Sequence, residues 1–392
     1  MSGGIKSGKI VDMQKAVQAK ADELLKHRTK KANSASAINS KEIIDALNNN
    51  ESGDASLYNK LNRNRLCYDH SANTWHKWQN HHWVEDKISD SLVATESVVD
   101  EYKKELSRQR NNKIQARKNG NKNQEEAAEI LIKLLEKRIN SLQTLRRKKN
   151  VLVLAGCGTN SLGITGDEWD SDPYLLGCGN GVVDLRTGKF RSGNPQDYIK
   201  TFAPHDFLGL DAPAPKFVEY LNEMFDSDKA LIEFIQRLFG CASFGLSDEH
   251  IFSIFYGPGR NGKSTLFEII ASVIGNHAFP IPSEMLLRQS FTRNSSAPSP
   301  DIMSLRGKRL VWASESDEGR LLDISRLKWL SGGDTLVGRN VFGSRRSVKI
   351  IKKTVKHELR KVTMCIHFPH AYEIFLLIFN FYILQQLFFW GR

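Results

Sequence analysis

The stretch "GPGRNGKS", Gly257 to Ser264, constrains this chain more tightly than any other eight residues. It satisfies the pattern G-x-x-x-x-G-K-[ST] through Gly257, Gly262, Lys263 and Ser264. That pattern has a mechanism only between a strand and a helix, and both neighbours read that way. Ile251 to Tyr256 is a short apolar run of strand character. Leu266, Ile269, Ile270, Val273 and Ile274 follow the i, i+3, i+4, i+7, i+8 spacing of one helix face, and Gly275 is placed to end it. Glycines let backbone N–H groups close on phosphate oxygens at the helix N-terminus, while Lys263 adds a point charge and Ser264 a hydroxyl suited to Mg2+. The nucleotide-binding candidates are Gly257, Pro258, Gly259, Arg260, Asn261, Gly262, Lys263, Ser264 and Thr265.

A hydrolytic site of this type also needs an acid at the end of a neighbouring strand, to hold the metal shell and orient water. "LRGKRLVWASESDEG" supplies one: Arg309 to Ser314 is strand-like, Glu315 is the first acid past it, and Asp317 and Glu318 follow. These three are the catalytic candidates, with Ser264 and Glu315 as the Mg2+ pair. A third piece, "DISRLKWLSGGDTLVGR", reads as a short helix after Asp323, a turn at Gly332 to Asp334 and a strand ending in Arg339. Lys328 and Arg339 are candidate phosphate contacts, of nucleotide or of DNA.

At 392 residues the chain has room for two or three domains, and its texture changes along its length. Residues 1–50 are polar and read as a leader, with a short helix around Val11 to Leu25 and N-cap residues before Ile43. In "LCYDHSANTWHKWQNHHWVED", Trp75, Trp78 and Trp83 sit among turn residues, which predicts small strands around tight turns. Its His70, His76, His81 and His82 lack the carboxylate or Cys spacing of a metal site and read as structural or surface groups. The stretch "EEAAEILIKLLEKRINSLQTLRRKK" carries Ile130, Leu134, Ile139, Leu142 and Leu145 on a broad helical stripe. Beyond it, "GNG", "VVDL" and "RTG" predict successive hairpins, and residues 212–245 predict two helices, the second ending near Gly240.

The net charge of +12 is concentrated. Residues 101–150 hold fifteen Lys or Arg against six acids, and residues 344–392 hold nine against two. Such stretches suit a polyanion, although a Lys-rich helix is more often a solvated face. Arg146 to Lys149 therefore have two readings, as packing on neighbouring helices or as facing a phosphate backbone. The five cysteines form no C-x-x-C pair, and the polar N-terminus holds no apolar core of signal-peptide length, which together fit a reducing cytoplasm.

Taken in order, "IFYGPGRNGKSTLFEIIASVIGNHAFPIP", "LRGKRLVWASESDEGRLL" and "LKWLSGGDTLVGR" resemble the superfamily 3 DNA helicases, specifically the helicase half of phage, plasmid and poxvirus-type primase-helicases. The Trp-rich segment and "WDSDPYLLGCGNGVVDLRTGKF" resemble the domain preceding the helicase in that group, so the resemblance spans roughly Tyr68 to Gly343. It implies an α/β fold: an AAA+-related P-loop core over residues 206–343, preceded by a mixed α+β domain over 51–205 with a basic helical stretch at 101–149. It further implies ATP and Mg2+ as cofactors, single-stranded DNA as partner and a hexameric ring. Within it Lys263 and Ser264 match the phosphate and Mg2+ residues, and Glu315 the main acid, with Asp317 or Glu318 its acidic neighbour. Gly332 to Arg339 match the lead into the DNA-contacting hairpin. No primase resemblance is visible, so primer synthesis is not assigned to this chain and a separate primase is a possible partner.

After "RNVFGS" the expected sensor strand and neighbour-reaching arginine are not recognisable, and residues 344–392 turn from Lys-rich to Phe, Ile and Leu-rich. Ile374 to Trp390 is slightly short for a bilayer span, which disfavours a membrane helix. A divergent lid and a foreign end from a truncated or frameshifted reading frame are the other readings, the last preferred. Two functions follow from opposite outcomes: a DNA helicase coupling ATP hydrolysis to translocation, or a remnant that binds ATP and DNA without turnover. A small-molecule P-loop kinase would need an Arg-rich substrate lid, against which "SGGDTLVGR" and the upstream domain argue.

Overall fold

The computed structural model describes residues 38–244, 252–255, 262–289, 299–313 and 320–331, and the backbone of three further strands at 335–339, 345–349 and 353–355. The chain divides into two compact units. The first holds residues 38–77 and 85–165; the second holds residues 78–84 and everything described from Gly166 onward. The division thus falls inside the segment 51–205 that the sequence groups together.

The first unit opens with α1 (Ser40–Asn48), started by a capping box in which Asn39 and Glu42 satisfy each other's backbone N–H. Although it lies in the stretch read as a leader, α1 buries Ile43, Ala46 and Leu47. The next helix is α2 (Asn50–Asn62), followed by β1 (Leu66–Asp69) and β2 (Thr74–Gln79); the last two residues of β2 and all but the last of β3 (His82–Glu85) are assigned to the second unit. The predicted tight turns are there: Asn73 and Asn80 take left-handed backbone at φ 55° and 56°. His70 Nε2 lies 2.8 Å from the Gly156 carbonyl oxygen, and His76 is buried, in keeping with structural roles.

A short α3 (Asp90–Val93) leads to α4 (Glu96–Lys118), α5 (Lys122–Leu142) and α6 (Leu145–Ala155), and β4 (Gly163–Ile164) returns to pair in parallel with β1. The helices α4 and α5 form a hairpin laced by Arg110–Glu136 at 2.7 Å and Lys113–Glu129 at 3.1 Å. The predicted stripe is right at two of its five positions. Ile139 and Leu142 are buried, but with Ala128, Leu135 and Arg138, while Ile130, Leu134 and Leu145 are exposed. At about 100° per residue, Ile130 lies on the far side of α5 from Ala128 and Leu135, and Leu145 belongs to a new helix with its own register.

Asp54 of α2 fastens the buried side of these helices. Its fully buried carboxylate accepts from Tyr102 Oη of α4 at 2.7 Å, Arg138 Nη1 of α5 at 2.8 Å and Arg147 Nη2 of α6 at 2.6 Å. Lys148 pairs with Glu96. Of the run Arg146 to Lys149, the two central cations are therefore held by the chain's own acids, which corrects the phosphate reading at those two positions and leaves Arg146 and Lys149 exposed.

In the second unit an antiparallel meander comes first: β5 (Leu175–Cys178), β6 (Gly181–Asp184) and β7 (Lys189–Arg191), as the Gly and Asn turns predicted. Trp83 packs edge-on to Trp169 at 6.2 Å, and its indole N–H donates to the Pro195 carbonyl at 2.9 Å. The helices α7 (Pro215–Met224) and α8 (Lys229–Phe244) follow. The second runs past Gly240 because Gly240 to Ser243 are buried against the core, and packing outweighs the roughly 1 kcal/mol cost of a helical glycine.

Then come β8 (Phe252–Ile254), α9 (Lys263–Ile274), β9 (Ala278–Ile281), a short α10 (Pro300–Met303), β10 (Leu310–Ala313), α11 (Ile324–Ser331), β11 (Thr335–Arg339), β12 (Arg345–Lys349) and β13 (Lys353–Val355). Four of these strands form a sheet in the order β8-β13-β10-β9, every pairing parallel. The strands β11 and β12 make a separate antiparallel pair. Residues set apart by sequence as a non-matching tail thus supply β12 and the inner strand β13. One core joins Leu176 and Val183 of the meander to Phe217, Phe239, Leu266, Phe267, Ile270 and Leu310.

Among the described residues no helix is long and apolar enough to cross a membrane. The proposed helix at Val11 to Leu25 and the apolar segment Ile374 to Trp390 lie outside the described residues.

Candidate functional site

The residues predicted to hold phosphate begin, in the structure, at the N-terminus of α9. Gly262 is its N-cap at φ 84°, a left-handed conformation that glycine adopts at little cost. Lys263 is the first helical residue and is buried, whereas Ser264 and Thr265 are exposed. The predicted apolar face holds completely: Leu266, Ile269, Ile270, Val273 and Ile274 are all buried, and Gly275 ends the helix at φ 55°. Phe267 on the same helix stacks on Trp312 of β10 with centroids 5.7 Å apart. Gly257, Pro258, Gly259, Arg260 and Asn261 lie outside the described residues.

The sheet decides what reaches this helix end. Phe252 of β8 is level with Lys353 of β13, which is level with Val311 of β10. Two residues further, Ile254, Val355 and Ala313 end level at one edge. The glycine-rich motif follows β8 and the acids follow β10, so both segments leave the same edge with one strand between them. Loops at the C-terminal ends of parallel strands are where open α/β sheets hold ligands. Glu315, Asp317 and Glu318 themselves lie outside the described residues. Lys328 is exposed on α11, a helix whose start is capped by Asp323 Oδ1 accepting from Arg326 N–H at 3.0 Å. Arg339 is the last residue of β11; the Gly332 to Asp334 turn is outside the described residues.

Behind the edge, β10 is anchored by a buried cation. Arg309 donates to the Ser243 carbonyl at 2.6 Å and the Leu175 carbonyl at 2.7 Å, tying α8 and β5 to the start of the strand. Burial lowers its pKa to about 10, which still leaves it charged. Burial likewise pushes the Asp170 carboxyl up, although it accepts from Lys200 and Thr201 N–H. His277, which begins the link to β9, is fully buried; loss of water and the nearby Arg309 and Lys308 charges hold its ring well below the ordinary histidine value.

One contact was invisible in the sequence. Tyr220 of α7 donates its hydroxyl to the Gly262 carbonyl at 2.8 Å. The pattern Phe217, Tyr220, Leu221, Met224 marks an inward helix face, but nothing in it names what that face meets.

Residues 55–226 match the family described as "D5 N terminal like". A protein of Acanthamoeba polyphaga mimivirus, provisionally named a helicase, is 25% identical over 285 residues, covering 70% of this chain and 28% of that protein. One from Invertebrate iridescent virus 6, also provisionally named a helicase, is 30% identical over 182 residues, covering 45% of this chain and 18% of that protein. These matches make the chain similar to the phage and poxvirus type of primase-helicases. An African swine fever virus protein provisionally named a primase is 24% identical over 185 residues, 46% of this chain and 19% of that protein. The chain thus spans under a third of the length of these curated proteins. Among solved structures, the apo C-terminal region of NrS-1 overlays with a TM-score of 0.36 at 12% identity, over 74% of this chain and 53% of that one.

Proposed function

We propose that the second unit is a superfamily 3, AAA+-related helicase core that binds ATP with Mg2+ at the N-terminus of α9 and couples hydrolysis to movement on single-stranded DNA. The observation that carries this is the level end of the parallel sheet, where β8, which precedes the glycine-rich motif, and β10, which precedes the acids, finish with only β13 between them. The helix end fits a phosphate: its N-cap is a glycine with no side chain to cap the first-turn N–H groups, and no acid lies in that turn. Lys263 holds the phosphate charge, and Ser264 with Glu315 would hold the metal. Magnesium, when bound, neutralises charge on the β- and γ-phosphate oxygens. Glu315 orients the attacking water, with Asp317 or Glu318 shaping its surroundings. Lys328 and Arg339 contact the DNA backbone, and six copies form a ring. The names of the viral relatives point the same way.

The test is ATP hydrolysis by the purified chain with and without single-stranded DNA, beside Lys263→Ala. DNA-stimulated turnover that disappears in the variant is expected. Nucleotide binding without turnover under both conditions would replace the helicase by a protein that only holds ATP and DNA.

A further inference from the structure

The Gly262 carbonyl oxygen receives two donors. One is the Leu266 N–H at 3.0 Å, the first hydrogen bond of α9; the other is the Tyr220 hydroxyl at 2.8 Å. A trans peptide is planar, so the direction of this carbonyl also fixes the direction of the next N–H, that of Lys263, which points oppositely. The carbonyl points into the helix toward Leu266, so the Lys263 N–H points out of its N-terminus, where an anion would sit.

The peptide is otherwise easy to turn, because a glycine at φ 84° precedes it. Tyr220 opposes that freedom at the carbonyl and lies close to the glycine itself. Its hydroxyl holds the oxygen, and a Cβ added at Gly262 would meet that same hydroxyl at 3.1 Å and Met224 Sδ at 3.6 Å. Phe217 lies nearly parallel to the tyrosine ring with centroids 6.0 Å apart, and Phe217 is itself buried. Burial raises the Tyr220 pKa to about 12, so the hydroxyl stays protonated and donates across the physiological range.

We propose that Tyr220 is a positioning residue of the phosphate site, its hydroxyl setting the peptide plane between Gly262 and Lys263 so that the Lys263 N–H stays aimed at the ligand. This rests on the reading of the α9 end as a nucleotide site. Tyr220 lies within the residues matched by the D5 N-terminal-like family, whereas Gly262 lies beyond them. The clasp therefore ties that matched segment to the glycine-rich motif.

The test uses the full chain with Mg2+ and a fluorescent ATP analogue, and inorganic pyrophosphate as competitor. Tyr220→Phe keeps the ring and removes the hydroxyl. It is expected to weaken both ligands by the same factor, about threefold to tenfold for one hydrogen bond, while the melting temperature without ligand stays near that of the wild type. Met224→Leu, beside the same glycine, serves as the packing control and should bind as the wild type does. Equal binding by Tyr220→Phe and wild type, with Lys263→Ala weakened, overturns the clasp alone. A weakening matched by a comparable fall in the ligand-free melting temperature also overturns it, since the tyrosine would then only hold the fold. Wild type that binds neither ligand, or Lys263→Ala that binds as wild type does, overturns the nucleotide reading and the clasp with it.

Discussion

Two helix starts in this molecule, α6 at Thr144 and α9 at Gly262, face the same electrostatic problem and meet it differently. Neither has an acid in its first turn, so neither offsets the positive end of its dipole locally. At α6 the first turn even carries Arg146, Arg147 and Lys148. There the Thr144 hydroxyl caps the Arg147 N–H at 3.4 Å, and Asp54 and Glu96, far along the chain, bring carboxylates to Arg147 and Lys148. At α9 the cap is a glycine with no side chain, and Tyr220 holds the peptide from its carbonyl side. One end has its anion supplied from within the fold; the other has none in its first turn and is the end proposed to take one from outside. Density of positive charge at α6 therefore marks pairing within the fold.

The largest expected effect tests the self-contained end. Asp54→Ala would leave Arg138 and Arg147 without their buried carboxylate and should cost about 3–5 kcal/mol in urea unfolding. A loss below about 1 kcal/mol, the range of an exposed pair, would break the comparison.

At the open end, Gly262→Ala forces a Cβ into left-handed backbone beside the Tyr220 hydroxyl. A cost of about 1–2 kcal/mol is expected in the same measurement, together with weaker nucleotide binding. An alanine variant as stable as the wild type would mean that the glycine conformation is not held as described.

A smaller, pH-dependent effect concerns the second unit. Because the folded His277 ring titrates below its ordinary value of 6.5, the unfolded chain binds the proton more readily. Its contribution is therefore complete above about pH 6.5 and is lost as the pH falls below it. Asp170, pushed up by burial, acts in the opposite sense, so comparison with His277→Gln isolates the histidine. The wild-type melting temperature should drop more between pH 7.5 and 5.5 than that of the variant; equal drops would remove His277 from the account.

Smallest of all, Ile130→Lys on the exposed side of α5 should change stability by less than about 0.5 kcal/mol. A large loss would restore the broad stripe that the spacing suggested.

Legibility followed the range of the interactions. The face of α9 was readable because five apolar residues repeat at the helical period and bury together. The hairpins were readable because Asn73 and Asn80 take the left-handed backbone that reverses a chain, and Gly and Asn sit between β5 and β6. The start of α11 was readable from Asp323. The stripe on α5 misled because apolar residues do occur on its exposed side, and period alone does not say which side meets the core. The Asp54 cluster left no local trace: its partners lie 48, 84 and 93 residues away. Nor did the strand Lys353–Val355, whose three residues acquire meaning only from the gap they fill between β8 and β10.

By itself, then, the sequence determined the phosphate motif, the helix and turn signals around it and the order of the pieces, because those depend on residues within a few positions of one another. Tertiary structure decided which cations remain exposed, which strands share an edge and that Tyr220 meets Gly262 across 42 residues. The physical reason is that partner choice is set by packing between distant segments, and a one-dimensional pattern records that a residue must be buried or paired without recording against what.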